Sequence, residues 1–151
     1  MTRGFLRFTR ESLVRLLLAG VFCLGPWAAF AACTAPEADD GTPFARVQLT
    51  PNAILFFKVL ADPVEVGEAF DMVVRVCKGD PLASGATITA NAVMPGHGHG
   101  MNYAIPSGKF SGTSVRLESF VFHMPGDWQF QFAVRHRGTT YRGTADYHLG
   151  L

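Results

Sequence analysis

From Trp128 to Arg135 apolar and polar residues alternate without a break. Trp128, Phe130, Phe132 and Val134 fall on one parity, and Gln129, Gln131, Ala133 and Arg135 on the other. A period of two places successive side chains on opposite faces of an extended chain, so the stretch 128–136 predicts a strand with one face in a core and the other in water. The run that follows, 140–149, alternates Tyr141, Gly143, Ala145, Tyr147 and Leu149 with Arg142, Thr144, Asp146 and His148, and Arg137-Gly138 separates the two. Two alternating runs joined by a glycine-bearing pair form a hairpin. A hairpin of this length has to bury its aromatic face against other strands, which commits the domain to a β architecture.

The rest of the chain agrees. Short β-branched and aromatic runs at 54–60, 69–77, 86–94 and 114–123, with a shorter one at 45–49, are separated by Gly, Pro and Asp, and no helical period of useful length intervenes. In 114–123 the apolar phase slips, because Val115 and Leu117 lie on one parity and Phe120 and Phe122 on the other. A bulge near Glu118-Ser119 reconciles them. The expectation is an all-β, immunoglobulin-like β-sandwich of six to seven strands, a single domain over 44–151, with a small Greek-key barrel as the competing architecture. His136 and His148 are expected to point outward as solvated surface residues.

The first 31 residues stand apart. Arg3, Arg7, Arg10 and Arg15 against the single Glu11 precede a nearly apolar run from Leu16 to Phe30, and Ala29-Phe30-Ala31 supplies a small-x-small cleavage pattern. Residues 1–31 therefore read as a signal peptide and 32–43 as a flexible lead-in. The mature chain is expected to be exported, periplasmic and soluble, without a transmembrane segment. Loss of the leader takes the 13 basic and 12 acidic residues to nine and eleven, and the formal charge from +1 to −2. No basic stripe remains for nucleic acid.

Cys23 leaves with the leader, so Cys33 and Cys77 form a pair in a compartment that tolerates disulfides. The rival reading takes Ala31-Ala32-Cys33 as a lipobox, with Cys33 acylated and the protein anchored as a lipoprotein. Phe30 stands where lipoboxes carry Leu, and acylation would leave Cys77 without a partner.

The chemistry-bearing stretch is Val93-Met94-Pro95-Gly96-His97-Gly98-His99-Gly100-Met101-Asn102-Tyr103, and His123-Met124-Pro125-Gly126 repeats its Met-Pro-Gly element with another histidine attached. Pro at the second and Gly at the third position of four residues suits a type II turn with no chemical role. The interleaved glycines also strip bulk from beside His97 and His99, and in extended backbone the two would share a face, roughly 7 Å apart at Cα. In a sandwich, the end of 86–94 lies beside the start of 128–136. His97, His99 and Met101 are therefore expected at the same rim as His123 and Met124. Imidazole with thioether suits copper, Cu(I) above all, and matches Mg²⁺ or Ca²⁺ poorly. Zinc on His97, His99 and His123 is the alternative metal. In the simplest reading the histidines hydrogen-bond their own loop while Met94, Met101 and Met124 fill the end of the core. Asp127 is expected to cap the Pro-Gly turn and Trp128 to be the core tryptophan.

No Gly-x-Ser-x-Gly elbow, no His-Glu-x-x-His, no phosphate-cradling glycine loop and no spaced carboxylate pair is present, so the chain is not expected to be an enzyme. Over about 54–149 the sequence resembles the YtkA-like and FixH-like family of exported bacterial domains. The likeness rests on Met94-Pro95-Gly96-His97-Gly98-His99-Gly100-Met101-Asn102-Tyr103, on Phe122-His123-Met124-Pro125-Gly126-Asp127-Trp128, and on the entry Pro63-Val64-Glu65-Val66-Gly67-Glu68-Ala69-Phe70. The resemblance implies an immunoglobulin-like sandwich at the outer face of the inner membrane. For FixH-like relatives it also implies a link to the assembly or copper supply of respiratory oxidases. The chain departs from FixH-like proteins in carrying a cleavable leader where they keep a membrane anchor. Two functional expectations follow: a copper-binding or copper-handling domain, or a metal-free interaction module whose rim docks onto a haem protein or oxidase subunit.

Overall fold

The computed structural model describes Cys33, Pro36 and residues 41–150. The expected signal peptide over 1–31 and most of the lead-in over 32–43 lie outside the described residues. Nine strands follow in chain order: β1 (Ala45–Leu49), β2 (Ala53–Val59), β3 (Ala69–Arg75), β4 (Thr87–Met94), β5 (His99–Gly100), β6 (Gly108–Lys109), β7 (Ser114–Val121), β8 (Gly126–His136) and β9 (Thr139–Leu149). A single 3-10 turn, Pro81–Ala83, begins where the Asp80 carboxylate accepts from the Leu82 N–H. No helix among the described residues is long and apolar enough to cross a membrane.

The strands form two antiparallel sheets, ordered β1-β2-β3-β7 and β5-β4-β8-β9, with β6 also pairing β4. The seven longer strands are those expected from the sequence, and the two-residue β5 and β6 are additions at the outer edge of β4. Both sheets contribute to one core, whose aromatic part runs between them: Phe57 and Phe120 from the first sheet meet Phe130 and Phe132 of β8 at centroid separations of 5.3–5.8 Å, and Phe70 packs beside Phe120 and Phe122. Trp128, Phe130, Phe132 and Val134 are all buried, so the alternation in β8 reads as it was laid down in the sequence. One parity was misjudged. His136 continues the inward set of β8 and is half-buried, with its Nε2 enclosed and without a hydrogen-bond partner, so it is not a solvated residue.

The sheets are tied directly at one edge, where Thr50 and Arg142 exchange backbone hydrogen bonds of 2.7 and 2.9 Å. Gly143 makes this possible, since a Cβ there would stand 2.6 Å from the Gln48 carbonyl oxygen. The bulge in β7 falls where the apolar phase slips. Met72 faces Leu117 and Phe70 faces Phe120, so Glu118 and Ser119 together oppose Asp71. Ser119 takes a positive φ of 68°, and the Asp71 carboxylate accepts from its N–H at 3.1 Å and from Arg116. Those contacts, the Arg116 guanidinium first and the Ser119 amide second, hold the Asp71 carboxyl below its ordinary pKa.

Cys33 and Cys77 are joined, with Cα atoms 5.8 Å apart and a sequence separation of 44. The bond pins the start of the domain to the end of β3 and uses the sulfur atom that acylation of Cys33 would need.

Two measurements test these features. Cys77→Ser should lower the unfolding free energy by about 3–4 kcal/mol, the chain-entropy value for a loop of this size, in urea melts of the oxidised protein. Asp71→Asn should cost about 1 kcal/mol at neutral pH, because the Arg116 guanidinium and the Ser119 amide both lose a charged acceptor but the pair is part-exposed. Since the folded pKa is depressed, the Asp71 contribution is complete above the unfolded carboxylate value near ~4 and is lost as pH falls from there through the lower folded value. The difference between wild type and variant should therefore close on acidification below that point.

Candidate functional site

Beyond Met94 the chain reverses through residues 95–98. The Met94 carbonyl accepts from the N–H groups of both His97, at 3.0 Å, and Gly98, at 3.1 Å. The first bond closes a four-residue turn with Pro95 and Gly96 at its centre, as the sequence suggested, but the type II form is not adopted. That form needs a positive φ at Gly96; the positive φ belongs instead to Gly98, at 68°. The chain makes one tight helical-type turn, and Gly98 in the left-handed region sends it back as β5. His97 therefore sits on the turn and His99 on a strand, so the two do not share a face of extended backbone.

β5 is held by pairing of His99 with Met94 and Gly100 with Val93, and the Met101 N–H extends the ladder to the Ala92 carbonyl at 3.0 Å. Gly100 serves close approach and not conformation: a Cβ would lie 2.7 Å from the Ala92 carbonyl oxygen. On the opposite edge of β4, Val93 pairs with Gln129 of β8, which brings the segment just before β8 to the same rim.

The rings meet there. The centroids of His97 and His99 are 5.7 Å apart, and those of His99 and His123 are 5.3 Å apart at an interplanar angle of 81°. His99 is common to both contacts. His123 in turn meets Trp128 in a T-shaped contact, with ring centroids 5.2 Å apart. Trp128 is buried, stacks on Phe122 at 4.5 Å, and donates its indole N–H to the Met124 carbonyl at 3.1 Å. The three histidines are exposed, Met101 and Met124 are half-buried against the core cluster, and Met94 is fully buried. A Cβ on Gly126 would stand 2.9 Å from the Met94 methyl, so the two Met-Pro-Gly elements are packed together.

Imidazoles that bind one ion through nitrogens at about 2.0–2.1 Å keep their ring centres roughly 5–5.5 Å from each other. The observed separations are close to that spacing. Among the described residues, however, no three His, Cys, Asp or Glu side chains stand as a ready-made cation site. The rim thus has the donors and the separations without a formed cage, and its exposed rings can change rotamer on the fast timescale of surface side chains.

Two contacts escaped sequence reasoning. His148 is exposed as expected, but its Nδ1 lies 2.6 Å from the Asp127 Oδ1, so the Asp127 carboxylate contacts β9. Both line a cleft of about 710 Å³ whose other wall is Pro95, Gly96 and His97. The signal was available, because the two-residue Arg137-Gly138 turn pairs His136 with Thr139 and so forces Asp127 opposite His148. Tyr103 reaches across to the other sheet and donates its hydroxyl to the Ser119 carbonyl at the bulge. Burial raises the pKa of that phenol above its ordinary value and keeps the donor protonated.

No protein-family model, curated protein or solved structure matches the chain.

Gly100→Ala should force β5 away from β4. In hydrogen exchange, protection of the Met101 amide should fall to that of an open loop while the β8–β9 amides keep theirs. Retained protection at Met101 would show that the rim tolerates the methyl group.

Proposed function

We propose that this protein binds copper at the rim of its sandwich, with His99 as the central ligand, His97 and His123 beside it, and Met101 and Met124 as thioether donors. The observation that carries the reading is the pair of ring contacts His97–His99 and His99–His123, at 5.7 and 5.3 Å, made by residues from two separate segments of the chain. Three borderline imidazoles next to two soft thioethers form a donor set suited to Cu(I) and to holding rather than reacting. With Cys33 and Cys77 joined to each other, no thiolate among the described residues competes for the ion. The role is one of binding or handover in an exported, periplasmic setting, and the likeness to YtkA-like and FixH-like domains supports placing it near the copper supply of a respiratory oxidase.

A metal-free reading is favoured by one observation. Tyr103, at 43 % exposure, lies four residues beyond His99 in the chain and would suit a docking surface for a haem protein or an oxidase subunit. Binding to such a partner that persists in a chelator belongs to this reading and not to the first.

Titration of the oxidised protein with Cu(I) should give a one-to-one complex, with quenching of Trp128 emission because His123 packs on that indole. His99→Ala should weaken binding on the order of 100-fold. Equal Cu(I) affinity of wild type and the His99→Ala, His123→Ala double variant would overturn the proposal, and so would one-to-one zinc binding in the absence of any Cu(I) response.

A further inference from the structure

The outer face of the second sheet segregates its charge along the strands. Near the histidine rim it carries Asp127 and Asp146, the latter opposite Gln129. Toward the far end it carries Arg142, opposite Ala133, and Arg135, opposite Thr140. On the β4 side, Thr89 pairs with Ala133 and Thr87 with Arg135, and Lys109 of β6 extends the latter row by pairing with Thr87.

Two adjacent rows thus cross three strands. One reads Thr87, Arg135, Thr140, and the other Thr89, Ala133, Arg142. Direct cross-strand partners lie side by side on one face, and diagonal ones such as Arg135 and Arg142 are roughly 7–8 Å apart, within the reach of long side chains. Ala133, with no side chain beyond Cβ, leaves a depression between the two guanidiniums. Ser107, from the connector that leads into β6, overhangs it. The result is a cleft of about 340 Å³ lined by four hydroxyl-bearing residues and two arginines, with no carboxylate in its wall. Neither arginine takes part in an ion pair among the described residues.

We infer that this cleft binds a phosphate group. Two guanidiniums present forked N–H donors matched to the edges of a tetrahedral oxyanion, and hydroxyls complete its coordination without adding charge. Both guanidiniums are exposed, so water screens their repulsion and their donors stay open to an anion, and the nearest acids in the sheet rows are four residues away along β9, ~13 Å at the strand rise. A second cleft, of about 580 Å³, shares Thr89, Ala133 and Arg142 with the first and continues over Tyr103 and Ile105. Its wall, which adds Met101, Tyr103 and Ile105, gives room for the organic part of a phosphate ester. The phosphate group therefore belongs either to a soluble ester or to a phospholipid headgroup.

The test uses the oxidised protein labelled with nitrogen-15. Inorganic phosphate should produce saturable shifts at the Arg135 and Arg142 Nε–H signals and the Thr87 and Thr140 amides. Arg142→Gln should weaken them by at least about tenfold, the loss expected for charged hydrogen bonds. Arg137→Gln, at the hairpin tip and outside the cleft, should bind as wild type. In parallel, co-sedimentation with phosphatidylcholine vesicles, with and without phosphatidylglycerol, separates the sources. Phosphatidylglycerol-dependent capture that is lost in Arg142→Gln assigns the phosphate to a lipid headgroup, and a response to free phosphate without capture assigns it to a soluble ligand. The proposal is overturned if neither probe binds, if the Arg135→Gln, Arg142→Gln double variant binds as tightly as wild type, or if Arg137→Gln weakens binding equally.

Discussion

The hydrogen bond from the Trp128 indole to the Met124 carbonyl controls the rim. A buried indole N–H left without an acceptor costs on the order of 1–3 kcal/mol, so the ring can lie fully inside the core only if the backbone at Met124 comes to it. Once it does, the same ring stacks on Phe122 and meets His123 at a near-perpendicular angle. One side chain thereby fixes three consecutive residues in the link between β7 and β8. Gly67 adds a second restraint by donating its N–H to the Phe122 carbonyl at 2.8 Å. The exposed histidine is placed by buried contacts on either side of it in the chain.

The three glycines of the rim loop looked equivalent in sequence and act differently in the fold. Gly98 supplies a left-handed conformation, Gly100 permits backbone approach across β5 and β4, and Gly96 shows neither requirement. The difference arises from the turn. Because the chain closes as a tight helical-type reversal, the positive φ needed to leave it falls two residues later than in a type II turn. A local motif such as Met-Pro-Gly predicts that the chain bends, but the pairing of β5 with β4 decides which residue carries the strained angle.

Much of the fold could be read from period and phase. The alternation of β8, the two-residue hairpin turn and the parity slip at Glu118-Ser119 each have a local cause, and each reappears in the register. That His99 and His123 share one rim was legible, because the pairing of β4 with β8 brings their ends together. β5 and β6 were not legible: two residues have no period, and they are strands only because β4 offers an open edge. Tyr103 on Ser119 joins different sheets across a bulge, a contact that no local pattern encodes. His136 was misassigned at the end of an alternating run, where counting two more residues along β8 places it inward.

Charge segregation along β8 and β9 gives this face of the molecule a dipole parallel to its strands, negative toward the histidine rim and positive toward the Arg135 end. In the field of an anionic surface such a face experiences a torque as well as an attraction. The Arg135 end would be drawn inward, leaving the histidines directed away from the surface and open to whatever approaches from solution.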